Sequence, residues 1–123
     1  MISLLACSLV GVDIEIDITP GSLLDRLHRR HGAATDGGSP SGRRERTTCN
    51  YGLDPAMQTI ADEHGMRISA IDDTGEVRAI ERTDHPFFVA TLYQPQLSSE
   101  PGAPHPVLVG FVEAAADRAR ARG

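Results

Sequence analysis

The sequence predicts an α/β fold in which helices flank a β-sheet. Residues 13–18 alternate strictly between acidic and apolar side chains, which is the pattern of a half-exposed strand. Residues 87–92 form a short apolar run between Pro86 and Pro95, typical of a strand buried on both faces. A third observation is an apolar stripe at helical spacing near the end of the chain, formed by Leu108, Phe111, Val112 and Ala115.

Composition limits the classes of function. The chain has 123 residues, enough for one ordinary domain, and 12 basic against 17 acidic residues give a net charge of −5. This charge and the absence of Trp argue against binding to nucleic acid. No apolar run approaches the roughly 18 residues of a membrane span, so we expect no membrane contact. The two cysteines, Cys7 and Cys49, indicate a reduced, cytoplasmic chain rather than a disulfide framework.

The first elements follow from local patterns. Residues 3–10 are apolar throughout and predict a core strand, which we expect to pair with residues 13–18 as a hairpin. Ser22 can cap a following helix, and Asp25 stands three residues later in the spacing of a capping box. Gly32 is placed to end that helix.

The middle of the chain begins with residues 33–44, which are rich in Gly, Ser, Thr and Pro and predict a mobile loop. Residues 46–53 predict a strand. Asp54 and Pro55 then form a good helix start, because Asp caps and Pro suits the first helical position. Gly65 is placed to end this second helix.

The last elements are a hairpin, a strand and a helix. Residues 66–71 and 76–81 predict two strands joined by a turn at residues 72–75. The buried strand follows, and residues 98–105 form an irregular loop. Pro106 opens the terminal helix. We treat residues 1–123 as a single partial domain.

The stretch over residues 85–97 also carries a resemblance. It reads His-Pro-Phe-Phe-Val, then Thr-Leu-Tyr-Gln-Pro-Gln-Leu after one residue, and is similar to H-P-F/W-F-V-x-x-Q-F-H-P-E-F of the CTP synthase glutaminase domain. Residues 45–55 resemble the family segment E-R-H-R-H-R-Y-E-V-N-P, and residues 65–70 resemble G-L-x-x-S-G. Residues 98–115 resemble the closing S-x-P-x-x-P-x-P-L-F-x-G-F-V-x-A-A.

The resemblance implies a partial, flavodoxin-like class I glutamine amidotransferase domain with a mixed sheet and flanking helices. The match begins in the second half of that domain, so we expect the first half to be missing from this chain. The family role is glutamine-dependent amination of UTP to CTP, in which a synthetase domain uses ATP and magnesium. For this chain the resemblance implies no cofactor and no metal. The chain is also similar to a group of small proteins that are related to the CTP synthase C-terminal region, some of which contain selenocysteine.

The resemblance places degenerate residues at the family's catalytic positions. The catalytic His falls on Gln94 and the catalytic Glu falls on Gln96, and an amide cannot serve as a general base near neutral pH. The family nucleophile is a Cys in a G-x-C-x-G turn, and the surroundings of Cys7 and Cys49 do not fit this motif. We therefore expect a pseudoenzyme without glutaminase activity of its own.

The loss of the catalytic residues leaves two interpretations of the family's substrate pocket open. In one, Asn50, Tyr51, Tyr93 and Gln94 bind glutamine or a similar small polar ligand, with Asn50 replacing a family Arg that holds the substrate. In the other, the loop has lost its function and the chain is a non-enzymatic interaction module. An open sheet edge would then be covered by a homodimer or by a separately encoded first half.

Weaker signals involve histidine and cysteine. His28 and His31 lie three residues apart on a helix, and with Cys49 they resemble a zinc site, although solvated histidines are far commoner. His85 is a conceivable substitute base, but a positional role ahead of the strand is favoured. Cys7 and Cys49 form either a redox pair or two inert thiols.

Overall fold

The computed structural model of the chain describes residues 2–4, 11–32, 42–49 and 51–123. The strands are β1 (Ile2–Leu4), β2 (Val12–Ile18), β3 (Arg43–Thr47), β4 (Tyr51–Leu53), β5 (Met66–Asp72), β6 (Val77–Arg82) and β7 (Val89–Thr91). The helices are α1 (Leu23–His31), α2 (Gln58–Glu63) and α3 (Pro106–Arg122). The predicted α/β class is confirmed.

Five of the strands form one sheet in the order β3-β2-β5-β6-β7, and each neighbouring pair is antiparallel. The described strands therefore form an antiparallel sheet and not the mixed sheet that the resemblance implied. β1 and β4 form a separate two-stranded antiparallel sheet. None of the helices in the described part of the chain is long and apolar enough to cross a membrane.

The core lies between the five-stranded sheet and the helices α1 and α3. The alternation along β2 is confirmed, because Ile14, Ile16 and Ile18 are buried while the acidic residues between them are exposed. These side chains pack with Leu24 of α1 and Val107 of α3. The sheet thus buries one face under two helices.

α1 begins as predicted. The side chain of Ser22 accepts a hydrogen bond from the backbone N–H of Asp25 at 3.1 Å. Two further N–H groups, those of Leu23 and Leu24, donate to the two carboxylate oxygens of Glu81 on β6, at 2.9 and 3.2 Å. Because the first N–H groups of a helix have no partner within it, Glu81 fixes the start of α1 to the sheet. Gly32 ends the helix.

The second helix is shorter than predicted but starts in the expected way. The Asp54 side chain accepts the backbone N–H of Ala56 at 3.0 Å and opens a single 3-10 turn, Pro55–Met57, which leads into α2. Gly65 follows α2 with a φ of +79°, a conformation that Gly adopts without strain. The hairpin of β5 and β6 is confirmed.

α3 packs through a different face from the one predicted. Pro106, Val107 and Gly110 are its buried residues, whereas the predicted stripe is exposed, with 37% of Leu108, 59% of Phe111 and 64% of Val112 accessible. The stripe does not face the core, although its helical spacing implied that it would. Gly110 is small, so α3 approaches α1 closely along the face that contains this residue. A Cβ on Gly110 would lie 2.3 Å from Cδ2 of Leu27 on α1.

The predicted N-terminal hairpin is not seen for the described residues of the first strand. β1 pairs with β4 through Ile2–Leu53 and Leu4–Tyr51, and not with β2. β3 pairs with residues 12–16 on one side of β2, and β5 pairs with residues 16–18 on the other. The remainder of the predicted first strand, residues 5–10, lies outside the described residues.

Two predicted boundaries around β3 need correction. β3 begins at Arg43, so the loop predicted over residues 33–44 does not include its last two positions, and residues 33–41 lie outside the described part. The single strand predicted over residues 46–53 is instead β3 and β4, in different sheets. The Thr47 hydroxyl accepts the backbone N–H of Cys49 at 3.1 Å and so turns the chain out of β3.

The strand predicted over residues 87–92 is shorter and less buried than expected. β7 spans Val89–Thr91 at the edge of the sheet and has no fully buried residue, and Phe88 is 40% exposed. The prediction of burial on both faces was therefore wrong. An apolar run cannot by itself distinguish an edge strand covered by one helix from a central strand.

Candidate functional site

The loop that leaves β7 is bonded to the end of β3. The side-chain oxygen of Gln94 accepts the backbone N–H of Thr48 at 2.7 Å, and the backbone N–H of Gln94 donates to the carbonyl of Arg46 at 2.9 Å. The Thr47 hydroxyl donates to the carbonyl of Leu92 at 3.0 Å. Gln94 thus holds two strand ends together.

Gln96 lies differently. It is exposed in a 3-10 turn, Pro95–Leu97, that follows Gln94 directly. Neither amide ionises near neutral pH, so neither side chain can take a proton from a thiol or stabilise an imidazolium by charge. This loop can therefore position a ligand but supplies no general base.

The predicted ligand-binding residues are spread over different environments. Tyr51 on β4 is 52% exposed, whereas Tyr93 is buried in the core with 1% of its surface accessible. Burial, followed by the negative charge of Glu45, raises the pKa of the Tyr93 hydroxyl well above its usual value, so the group stays protonated. Asn50 lies outside the described residues. A ligand role for this set stays a prediction.

Cys49 and His85, which the sequence singled out as reactive, make local contacts in the described part of the chain. Cys49 is partly exposed, and its Sγ donates to the carbonyl of Tyr51 at 3.4 Å. Cys7 lies outside the described residues. His85 is exposed and its Nδ1 accepts the backbone N–H of Phe87 at 3.1 Å, which is a local turn contact.

A compact cluster lies instead where α1, β3 and the start of α3 meet. Among the described residues, His28, Glu45 and His105 each offer one nitrogen or oxygen atom within 4.8 Å of the other two. Nε2 of His105 lies 2.7 Å from Oε1 of Glu45, and the two histidine rings pack edge to face. All three side chains are buried, with 6%, 3% and 5% of their surface accessible.

The proton on His105 can be assigned from its contacts. Its Nδ1 accepts the backbone N–H of Val107 at 3.1 Å and so caps α3. Nε2 must then carry the proton and donate to Glu45. The other oxygen of Glu45 accepts the hydroxyl of Ser98 at 3.2 Å, so the carboxylate is held from two sides.

His28 is held neutral. Burial is the main cause, and the positive charge of Arg43 and the nearby His105 add to it, so that the pKa of His28 falls to about 3. Its Nε2 has no hydrogen-bond partner among the described residues. A buried, neutral and unpartnered imidazole nitrogen is an available electron-pair donor.

A cavity of about 820 Å³ opens beside the cluster. The cavity is lined by positively and negatively charged residues and by several glycines and prolines. The lining residues are His28, His31, Gly32, Gly42, Arg43, Arg44, Glu45, Ser98, Gly102, Ala103, Pro104, His105 and Pro106. A second cavity, of about 300 Å³, lies between α3 and the segment before β7.

The cluster differs from the zinc site considered from the sequence. His31 contacts Glu113 on α3 at 3.2 Å, and among the described residues the cluster of three does not include Cys49. Glu45 and His105 were missed because they lie 60 residues apart in sequence. The one local signal was a His directly before the Pro that opens α3, where a side chain that caps the helix is expected.

Similarity to known proteins agrees with the resemblance seen in the motifs. The chain is 40% identical over 82 residues to a CTP synthase of Drosophila pseudoobscura pseudoobscura, a match over 66% of this chain and 13% of that protein. It is 35% identical over 104 residues to a CTP synthase of Archaeoglobus fulgidus, covering 84% of this chain and 18% of that protein. The chain thus spans less than a fifth of the length of these relatives. No family model matches it.

Solved structures agree on the fold. The glutaminase domain of Trypanosoma brucei CTPS, with bound acivicin, superposes with a TM-score of 0.76 at 24% identity, over 91% of this chain and 41% of that one. A putative GMP synthase protein from Thermoplasma acidophilum superposes with a TM-score of 0.65 at 12% identity, over 99% of this chain and 51% of that one. The partial class I amidotransferase fold is confirmed. The chain therefore belongs to the CTP synthase-like glutamine amidotransferase family and is related to its glutaminase domain.

Proposed function

We propose that this chain is a glutaminase-type module that binds a small polar ligand and does not hydrolyse glutamine by itself. The family role, glutamine-dependent amination of UTP to CTP, would then require residues that this chain does not provide. The observation that supports this most directly is the 2.7 Å hydrogen bond from the Thr48 backbone N–H to the Gln94 side chain.

Glutamine hydrolysis needs a thiolate, a His that activates it and a carboxylate that orients the His. Gln94 stands where the resemblance places the His, and its oxygen is already used as a structural acceptor. Gln96, at the carboxylate position, has no charge to stabilise an imidazolium. Losing a catalytic base alone costs several orders of magnitude in rate.

Neither cysteine of the chain has the surroundings that a catalytic nucleophile needs. Nucleophilic cysteines need a base or a positive environment that lowers their pKa. Cys49 donates from Sγ to a backbone carbonyl, and it lies between two strands rather than in a strand-to-helix turn. The sequence around Cys7, Leu-Ala-Cys-Ser-Leu, has no flanking glycines.

The large cavity supports the binding part of the proposal. Its lining residues include Arg43, Arg44 and Glu45. Free glutamine at neutral pH carries one carboxylate and one ammonium group, and its carboxylate can meet the positive charge of Arg44, which is exposed. A volume of about 820 Å³ is ample for a molecule of that size.

Titration of the ¹⁵N-labelled chain with glutamine, followed by NMR, tests the binding part. We expect saturable shifts at cavity residues such as Gly32, Gly42 and Ser98. Arg44→Gln should weaken binding because it removes an exposed charge of the cavity wall. Arg46→Gln is the matched control, since Arg46 lies two positions further along β3, contacts Asp13 and does not line the cavity.

A second candidate is an interaction module, and the exposed apolar side chains of Leu108, Phe111 and Val112 on α3 favour it. This reading predicts no saturable shifts with glutamine. It predicts instead self-association, measured by sedimentation, that Phe111→Ser and Val112→Ser abolish together. A chain that neither binds glutamine nor associates would contradict both candidates for the chain alone.

A further inference from the structure

We propose that His28, Glu45 and His105 form a binding site for one divalent transition-metal ion, with zinc as the best match. The resemblance implied no metal for this chain, and the weak zinc signal in the sequence joined His28 to His31 and Cys49 instead. The metal site does not require the glutamine binding proposed above. The three residues come from α1, β3 and the residue that caps α3, and their candidate ligand atoms lie within 4.8 Å of one another.

The spacing is close to that of a coordinated ion. Zinc binds imidazole nitrogen and carboxylate oxygen at about 2.0–2.2 Å, so two ligand atoms of a tetrahedral site lie roughly 3.4 Å apart. Nε2 of His105 and Oε1 of Glu45 are 2.7 Å apart, and the longest separation in the cluster is at most 4.8 Å. To take up an ion, Nε2 of His105 and Oε1 of Glu45 must move apart by roughly 0.7 Å.

Burial makes His28 unusual without an ion, whereas Glu45 and His105 are hydrogen-bonded to each other. His28 has 6% of its surface accessible, and polar groups at such depth are normally hydrogen-bonded. Nε2 of His28 has no hydrogen-bond partner among the described residues. A cation shared by His28 and Glu45 gives the nitrogen a partner and compensates the buried carboxylate charge.

The adjoining cavity provides the remaining coordination position. Three protein ligands that leave one position open is the arrangement of catalytic and ligand-binding zinc sites. Arg43 and Arg44 line the same cavity as the cluster. Their positive charges suit a water-derived hydroxide or an anionic oxygen ligand as the fourth partner.

Metal binding has a specific cost at the start of α3. With Nδ1 of His105 accepting the Val107 N–H, the proton is on Nε2, where the metal must bind. Coordination at Nε2 therefore moves this proton to Nδ1, and the Val107 N–H loses its acceptor. Exchange of the Val107 amide hydrogen should become faster when the ion is bound.

The ligand set also predicts selectivity. Two imidazoles with one carboxylate suit Zn²⁺, whereas Mg²⁺ prefers an all-oxygen shell and retains its water. We therefore expect Zn²⁺ to bind with a stoichiometry of one and Mg²⁺ at the same concentration not to bind. The two thiols must be removed first, because thiolates bind zinc as well.

The experiment uses the full chain with Cys7→Ser and Cys49→Ser, treated with chelator and titrated with ZnCl₂ by calorimetry. Extended X-ray absorption measured on the zinc-loaded protein should show only nitrogen and oxygen neighbours at about 2.0–2.2 Å. We expect Glu45→Gln and His28→Phe each to weaken binding at least tenfold. Zinc should raise the Tm of the parent but not of these variants.

The substitutions leave the metal-free contacts largely intact. Glu45→Gln keeps an acceptor oxygen for His105, and its amide N–H can donate to the Ser98 hydroxyl. His28→Phe removes a nitrogen that has no partner among the described residues. Circular dichroism of the metal-free forms establishes that each is folded. His64→Asn is the control, because His64 is exposed and its Nδ1 contacts only the carbonyl of Ile60 among the described residues.

Three results would overturn the proposal. The first is an absence of saturable zinc binding by the folded, cysteine-free parent. The second is binding that Glu45→Gln and His28→Phe leave unchanged but His64→Asn reduces, which identifies an adventitious surface ion. The third is equal binding of Mg²⁺ and Zn²⁺, since that excludes imidazole ligands.

Discussion

The guanidinium of Arg78 lies 2.9 Å from a carboxylate oxygen of Asp72, and both side chains are almost completely buried. The other oxygen of Asp72 accepts the backbone N–H groups of Thr74 and Glu76, so the same carboxylate also closes the β5–β6 turn. Burial alone raises the pKa of Asp72, but hydrogen bonds from Thr74 and Arg78 outweigh it and lower the pKa below its ordinary value of 3.8.

Asp72→Asn should lower the free energy of unfolding at pH 7 by about 3 kcal/mol, because it leaves the buried Arg78 charge without a counter-ion. Chemical denaturation followed by circular dichroism measures this difference. Asp73→Asn is the control, since Asp73 is exposed in the same turn.

The effect of Asp72→Asn should also depend on pH. Because the folded pKa of Asp72 is lowered, its stabilisation is complete above the unfolded value of 3.8 and is lost as the pH falls through the folded pKa. The difference between parent and variant should therefore be constant from pH 7 to about 5 and shrink below about pH 4. A difference that stays constant down to pH 2 would contradict this assignment.

Glu81→Ala should destabilise the chain by about 1–2 kcal/mol, because two N–H groups at the start of α1 lose their charged acceptor. Thermal unfolding measures the loss. Glu63→Ala on the exposed side of α2 should leave the Tm unchanged. Equal effects of the two substitutions would show that Glu81 does not anchor α1.

Gly110→Ala should destabilise the chain by about 1–3 kcal/mol although Ala is the better helix former. The new Cβ would lie 2.3 Å from Leu27 Cδ2 and 3.2 Å from Cε2 of Phe87. Leu27→Ala removes the nearest colliding atoms, so the penalty should become smaller when Gly110→Ala is added to that variant. A penalty of equal size in both backgrounds would contradict the close approach of α1 and α3.

Gln94→Ala should cost about 1 kcal/mol of stability, since the bond to Thr48 joins the β7 loop to β3. Amide hydrogen exchange at Thr48 should become faster, by the factor that corresponds to this loss of stability. Gln96→Ala is the matched control, because Gln96 is exposed in the next turn. Unchanged exchange at Thr48 in Gln94→Ala would show that the side chain does not fasten this loop.

Local signals predicted the helix starts and the central hairpin. Ser22 and Asp54 cap as their spacing indicates, and the Asp-Asp-Thr-Gly turn joins β5 to β6. These features depend on neighbouring residues alone, so the sequence contains all the information that they need.

The errors arose where contacts between residues far apart in the sequence determine the structure. The apolar stripe of Phe111 and Val112 faces outward because Gly110 allows the closer helix contact. The pairing of residues 2–4 also differs from the prediction, since β1 pairs with β4 rather than with β2. The cluster of His28, Glu45 and His105 depends on three elements that meet only in the folded chain.

The central claim is that this chain does not hydrolyse glutamine by itself. The most direct test is to incubate the purified, folded protein with glutamine labelled with ¹⁵N in the side-chain amide and to follow labelled ammonium by NMR. We predict that ammonium forms no faster than in buffer alone. Ammonium release that increases in proportion to protein concentration would contradict the claim.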